Sequence, residues 1–233
     1  MENNTQTKAP VSRRNFVQGA AAATGLSTLS IAKHAHAAGS DVIKFGLVGC
    51  GGRGTGAASQ IMNSPHPTKL VAMGDAFMDK VEGSHARLSK QYKQKVTVTK
   101  DTMFAGFDAY QKVIDSGVDL VAFATPPGFR PFHIEAAVNA GKHVFMEKPV
   151  CVDGAGAKRV LDATAKAKKQ NTTLAVGLQR RHQPNYIETI KRLQDGAIGD
   201  ILYMRAFWNG GGVWTRGRQN DQTELEYQMR NWY

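Results

Sequence analysis

Short apolar runs separated by stretches of helical spacing organise this chain. Residues 42–48 form an apolar run rich in β-branched residues, and residues 69–74, 119–124, 143–146 and 173–178 repeat that pattern. Runs of this length, closed by Gly, Pro or charged residues, read as buried strands. Between them, residues 55–62, 79–93, 108–115, 130–140 and 154–169 read as helices, several with a polar face. A short strand is expected at 96–98, a further helix at 184–193 and a strand at 201–208. The β-α-β-α order predicts an α/β fold, a doubly wound parallel sheet with helices on both faces, whose ligands gather at the carboxyl ends of the strands. After residue 208 the pattern fades into a loop and a beginning, and a single strand cannot stand as a sheet. The expected division is therefore a sheet domain at 41–178 and, at 179–233, the start of an incomplete α+β second domain, as in a fragment or truncated product.

The first strand breaks into Gly49-Cys50-Gly51-Gly52-Arg53-Gly54, three glycines spaced G-x-G-x-x-G before a helix. Gly49 lets the backbone turn sharply, Gly51 removes the Cβ that would obstruct a pyrophosphate, and Gly54 lets the helix pack against the sheet. The phosphates of a dinucleotide would sit on the positive end of that helix. By itself the turn is also compatible with a tight connection, a flavin enzyme or a methyltransferase. Asp75 closes the second strand 21 positions after Gly54, where a Rossmann fold places the carboxylate that holds the adenosine ribose. A carboxylate there repels a 2′-phosphate and favours NAD over NADP, with Lys80 softening the discrimination; capping the next helix is its alternative role. Thr125-Pro126-Pro127 and Glu147-Lys148-Pro149 also follow strands, so all three loops should line one edge with Lys148 beside the cofactor. Arg181 and His182 follow the next strand and are candidates for substrate contact or for a basic loop covering a helix end. His133 could approach the cofactor edge or pack against the sheet, and packing is the preferred reading.

Charge changes little in this picture. Over 233 residues the formal net charge is +11, which raises nucleic acid as a partner. The cations are scattered along helical faces, as in Lys158, Arg159, Lys166, Lys168 and Lys169, and no aromatic-interleaved RNA motif accompanies them. Nucleic-acid binding is not expected. His66, His85 and His143 lack ligand partners at suitable spacing, so no metal is expected. Cys50 and Cys151 suggest no disulfide framework. Residues 1–37 read as an export signal: Arg13-Arg14 and Phe16 precede an alanine-rich run too short and mild for a membrane span, and Ala35-His36-Ala37 offers a cleavage pattern. This resembles a twin-arginine signal, with the export machinery as partner and a periplasmic or otherwise exported destination. That pathway carries folded proteins, so the cofactor would be loaded before export.

The glycine turn, Asp75, Ala124-Thr125-Pro126-Pro127, His133, the run Ala140-Gly141-Lys142-His143-Val144-Phe145-Met146-Glu147-Lys148-Pro149 and Gly199-Asp200-Ile201 together resemble the Gfo/Idh/MocA oxidoreductases, relatives of glucose-fructose oxidoreductase and inositol dehydrogenase. The resemblance implies hydride transfer between a nicotinamide and a sugar or polyol carbon. It assigns Lys148 to the active site, hydrogen-bonding the reacting hydroxyl and stabilising alkoxide charge, with Glu147 orienting it. It also implies a large antiparallel sheet as second half and a homo-oligomer for the full-length protein. A tightly held cofactor beyond the membrane implies redox-neutral chemistry. NAD-using glycosidases with twin-arginine signals are the alternative within the family, but they tend to replace the lysine kept here as Lys148. A non-catalytic NAD-binding module is the alternative outside enzymology.

Overall fold

The apolar runs assemble as the alternation requires. The computed structural model describes residues 41–232, so the signal expected at 1–37 lies outside the described residues. From Val42 the chain forms one unit. Its strands are β1 (Ile43–Val48), β2 (Thr68–Asp75), β3 (Met103–Ala105), β4 (Leu120–Phe123), β5 (His143–Met146) and β6 (Leu174–Val176). They pair in the order β3-β2-β1-β4-β5-β6, all in parallel. The strand order reverses between β1 and β4, and a crevice opens at such a point above the carboxyl ends. The helices are α1 (Gly52–Met62), α2 (Met78–Gln91), α3 (Ala109–Asp115), α4 (Arg130–Asn139), α5 (Gly154–Lys169), α6 (Pro184–Gln194) and α7 (Glu224–Arg230). Among the described residues none is long and apolar enough to cross a membrane.

Successive strand residues point to opposite faces, and two cores result. Phe45, Leu47, Leu70 and Met73 meet Ala58 and Met62 of α1 and Val81 and Leu88 of α2. Val48, Val121, Phe123, Val144 and Met146 meet Val113 of α3, Ile134 and Val138 of α4, and Ala163 of α5. This explains why the strands read as continuous apolar runs: both faces are covered. Strand β2 carries a bulge. Phe45 pairs with Leu70 but Gly46 with Ala72, leaving Val71 as the extra residue. Leu70 therefore faces α1 and α2, Val71 and Ala72 both face the other core, and Met73 returns to the first.

Three expectations need correction. Residues 96–98 form no strand; they contribute one bridge, Leu70 to Val96, and the sheet edge is instead β3. Val96 and Val98 still pack against the core, so their apolar spacing reported burial beside the sheet rather than membership of it. Residues 201–208 also form no strand: Leu202 is 94% and Trp208 83% exposed, because no partner edge is present among the described residues. Helix α7 was not expected. Thr223 caps it, its Oγ1 accepting a hydrogen bond from the Glu226 N–H at 3.2 Å. The Thr-x-x-Glu spacing of Thr223 and Glu226 is a helix-start signal.

Gly46 shows how tightly helix and sheet are seated. A Cβ there would lie 2.4 Å from Val113 Cγ1 of α3. Gly46→Ala should lower the unfolding free energy by about 1–3 kcal/mol through overpacking. Urea denaturation would show it, and an unchanged midpoint would mean that α3 does not seat there.

Candidate functional site

The turn after β1 is a glycine turn for three separate reasons. Gly49 has φ +94° and a Cβ there would lie 2.6 Å from the Ala124 carbonyl carbon, so both conformation and space require glycine. A Cβ on Gly54 would lie 1.8 Å from the Gly49 oxygen, which lets α1 start directly on the turn. Gly51 and Gly52 differ: a Cβ on either would meet no protein atom within 4 Å. Both line a cavity of about 580 Å³ above the strand ends, so the room in front of them is room for a ligand. The start of α1 has no side-chain cap and no acidic residue in its first turn, which leaves its positive end to an anion. These features fit the pyrophosphate of a dinucleotide.

Asp75 also lines this cavity. Its Oδ2 accepts the Cys50 N–H at 2.6 Å and its Oδ1 the Phe77 N–H at 3.1 Å. Phe77 is the residue just before α2, which has no side-chain cap, so the bond to its N–H does not make Asp75 the helix cap, its alternative role. Each oxygen keeps a second acceptor position, as a ribose diol requires. Burial raises the Asp75 pKa, with the two N–H bonds pulling the other way. The Cys50 thiol is pushed well up by burial and then by the Asp75 charge; it donates to the Gly74 oxygen at 3.4 Å and stays a thiol. Cys50 and Cys151 are both free.

The remaining predicted residues divide. Arg53, Thr125 and Pro126 line the cavity, whereas Pro127, Glu147, Lys148, Arg181 and His182 are not among its lining residues. Glu147 is buried, and its Oε1 pairs with Arg53 Nη2 at 2.5 Å. That ion pair ties the glycine turn to the loop after β5, across the end of β4. The carboxylate expected to orient Lys148 is therefore committed to Arg53, and Lys148 stands exposed on the loop. Arg181 and His182 are exposed on the 3-10 turn Gln179–His182. Among the described residues no group of three or more His, Cys, Asp or Glu could hold a metal ion.

Sequence reasoning missed Arg130. Its buried guanidinium donates to the Glu147 oxygen at 2.5 Å and also to the Thr125 and Pro149 oxygens. One cation thus holds the loops after β4 and β5 together, around the cis peptide bond between Lys148 and Pro149. Burial lowers its pKa to about 10, opposed by the Glu147 charge. A signal was present: an arginine in the first turn of a helix faces the positive end of the dipole and needs acceptors elsewhere. His133, one turn along, does both: it is stacked on Tyr110 with ring centroids 4.2 Å apart and has Nδ1 3.2 Å from Thr125 Oγ1, and it also lines the cavity.

Residues 43–177 match the model of the oxidoreductase family with the NAD-binding Rossmann fold, GFO_IDH_MocA. The chain belongs to this family, and its sheet domain is the family's NAD-binding fold. It is 32% identical over 163 residues to inositol 2-dehydrogenase 4 of Saccharopolyspora erythraea, covering 70% of this chain and 44% of that protein. It is 27% identical to scyllo-inositol 2-dehydrogenase (NAD(+)) of Bacillus subtilis, covering 73% of this chain and 46% of the relative. The chain therefore spans less than half the length of these relatives. Among solved structures, scyllo-inositol dehydrogenase from Lactobacillus casei with bound NAD(H) and scyllo-inositol superposes with a TM-score of 0.57 at 27% identity, over 68% of this chain and 43% of that one.

His133 gives the site a pH signature. Burial first, and the Arg130 charge second, lower its pKa from 6.5 to about 4. Between those values the unfolded chain binds the proton and the folded chain does not. Stability is therefore full above about pH 6.5 and falls as the pH drops toward 4, by up to about 3 kcal/mol. Denaturant unfolding from pH 7 to 4 should show a shallower slope for His133→Gln than for the parent. Equal slopes would mean that His133 titrates alike in both states.

Proposed function

We propose that the full protein is an exported oxidoreductase that moves a hydride between a tightly held nicotinamide cofactor and a polyol or sugar. The observation that carries the reading is the cavity at the strand-order reversal, with Gly51 and Gly52 open in front of an uncapped helix and Asp75 on its wall. The inositol dehydrogenases to which the chain is similar make a cyclic polyol the preferred substrate class. NAD is the preferred cofactor, since the Asp75 carboxylate disfavours a 2′-phosphate. Residues 41–178 serve as the cofactor unit and 179–233 open the substrate domain.

Gly49, Cys50, Gly51, Gly52, Arg53, Gly54, Asp75, Thr125, Pro126 and Pro127 are proposed to surround the cofactor, with Arg181 and His182 as substrate contacts. When bound, the nicotinamide accepts or returns the hydride. Lys148 is proposed to hydrogen-bond the reacting hydroxyl and steady its developing negative charge. Its exposure suits that role if the substrate domain closes over it and excludes water. Export in the folded state, with the cofactor aboard, would make the net reaction redox-neutral.

Two measurements test this. The full-length protein recovered from the export compartment should release NAD on denaturation. A preparation without nicotinamide that also fails to bind NAD would overturn the cofactor reading. Lys148→Met should lower kcat about 10²–10⁴-fold with NAD affinity preserved; unchanged turnover would remove Lys148 from the chemistry.

A further inference from the structure

The cavity has a wall that the nucleotide fold does not supply. Trp214, Arg216, Arg230 and Trp232 line it together with the glycine turn and Asp75, although they lie far downstream of β6. Arg230 fastens this segment to the start of α2. Its two terminal nitrogens reach the two Asp79 carboxylate oxygens at 3.0 and 3.1 Å, and its guanidinium carbon lies 4.0 Å above the centre of the Phe77 ring. Paired, forked contacts of this kind fix orientation as well as distance.

The segment is closed on itself. Arg216 donates its backbone N–H to Asn231 Oδ1 and its Nη1 to the Arg230 oxygen, both at 2.7 Å. Its guanidinium stacks over Trp214 at 4.4 Å, and the Trp214 and Trp232 rings meet edge-on with centroids 6.3 Å apart. The anchor lies where it matters: Phe77 follows Asp75 by two positions, and the Phe77 N–H is one of the two donors to the Asp75 carboxylate. Trp214 and Trp232 remain nearly half exposed while bordering the cavity. Flat indole faces suit a purine ring, and Arg216 adds positive charge for a dinucleotide's phosphates.

We propose that residues 214–232 complete the adenosine half of the cofactor site, with Trp214 and Arg216 as contact residues and the Arg230–Asp79 pair as the latch that holds them there. The proposal rests on the cavity being the dinucleotide site. It assigns to the C-terminal segment a share in retaining the cofactor, separate from the nicotinamide end where Lys148 is proposed to act.

The test separates the two halves of the cofactor. Calorimetric titration of the full-length protein, freed of cofactor, with ADP-ribose and with nicotinamide mononucleotide would be compared across the parent, Trp214→Ala and Arg230→Ala. Each variant should bind ADP-ribose about tenfold more weakly while nicotinamide mononucleotide binding stays unchanged. ADP-ribose binding at parental affinity in both variants would overturn the proposal, as would equal weakening of the two half-ligands. A parent protein that binds neither NAD nor ADP-ribose would instead overturn the cofactor reading itself. Should Arg230→Ala not fold, Trp214→Ala, in an irregular stretch outside the latch, carries the same comparison.

Discussion

The site depends on how closely the start of α1 approaches the end of β1. With the Gly54 Cβ position only 1.8 Å from the Gly49 oxygen, and the Gly49 Cβ position 2.6 Å from the Ala124 backbone, turn, helix and neighbouring strand touch through their backbones. Side chains at these two positions would push the helix off the sheet and carry its N–H groups away from the crevice. Gly51 and Gly52 have no such duty toward the protein. The open space in front of them belongs to the cavity, so within one six-residue turn two glycines serve the packing and two leave room above it.

On the other side of the crevice the organising group is a charge. Arg130 holds carbonyl oxygens from Thr125, Glu147 and Pro149, groups that would otherwise be buried near one another with too few donors. A cation in such a place is costly to desolvate, and the lowered pKa of Arg130 reflects that cost. The nearby Glu147 carboxylate offsets it while itself pairing with Arg53. The loop that carries Lys148 is thus held from within by Arg130 and joined to the glycine turn by Glu147, with the Lys148 side chain left to solvent.

Most of the sheet domain was legible because the inner strands β1, β2, β4 and β5 are largely buried on both faces and most of the turns are punctuated by glycine or proline. Residues 143–146 and 154–169 were read with the boundaries that β5 and α5 have. The failures share a cause. Val98 is buried and Val96 partly buried beside the sheet rather than in one of its strands, and residues 201–208 have strand chemistry with no edge to pair with among the described residues; in both cases composition reports a face, and pairing is decided by distant partners. The glycine turn and Asp75 were legible because their spacing is set by local geometry. The Arg53–Glu147 and Arg230–Asp79 pairs were not, since they join residues 94 and 151 positions apart and no local pattern encodes such a meeting.

The extra residue in β2 bears on which layer of helices Asp75 faces. Residues two apart share a face, so Asp75 faces the same way as Met73, toward the layer of α1 and α2. That is the side from which the Cys50 N–H reaches its carboxylate. Were Val71 kept but paired in register, with no bulge, the alternation would invert beyond Leu70, and the same aspartate would point into the layer of α3. The side on which the Asp75 carboxylate stands is therefore tied to the bulge four positions upstream. Deleting Val71 would instead leave a regularly alternating strand with Asp75 still on its present face, so the bulge is what lets the strand carry one more residue without turning that carboxylate away.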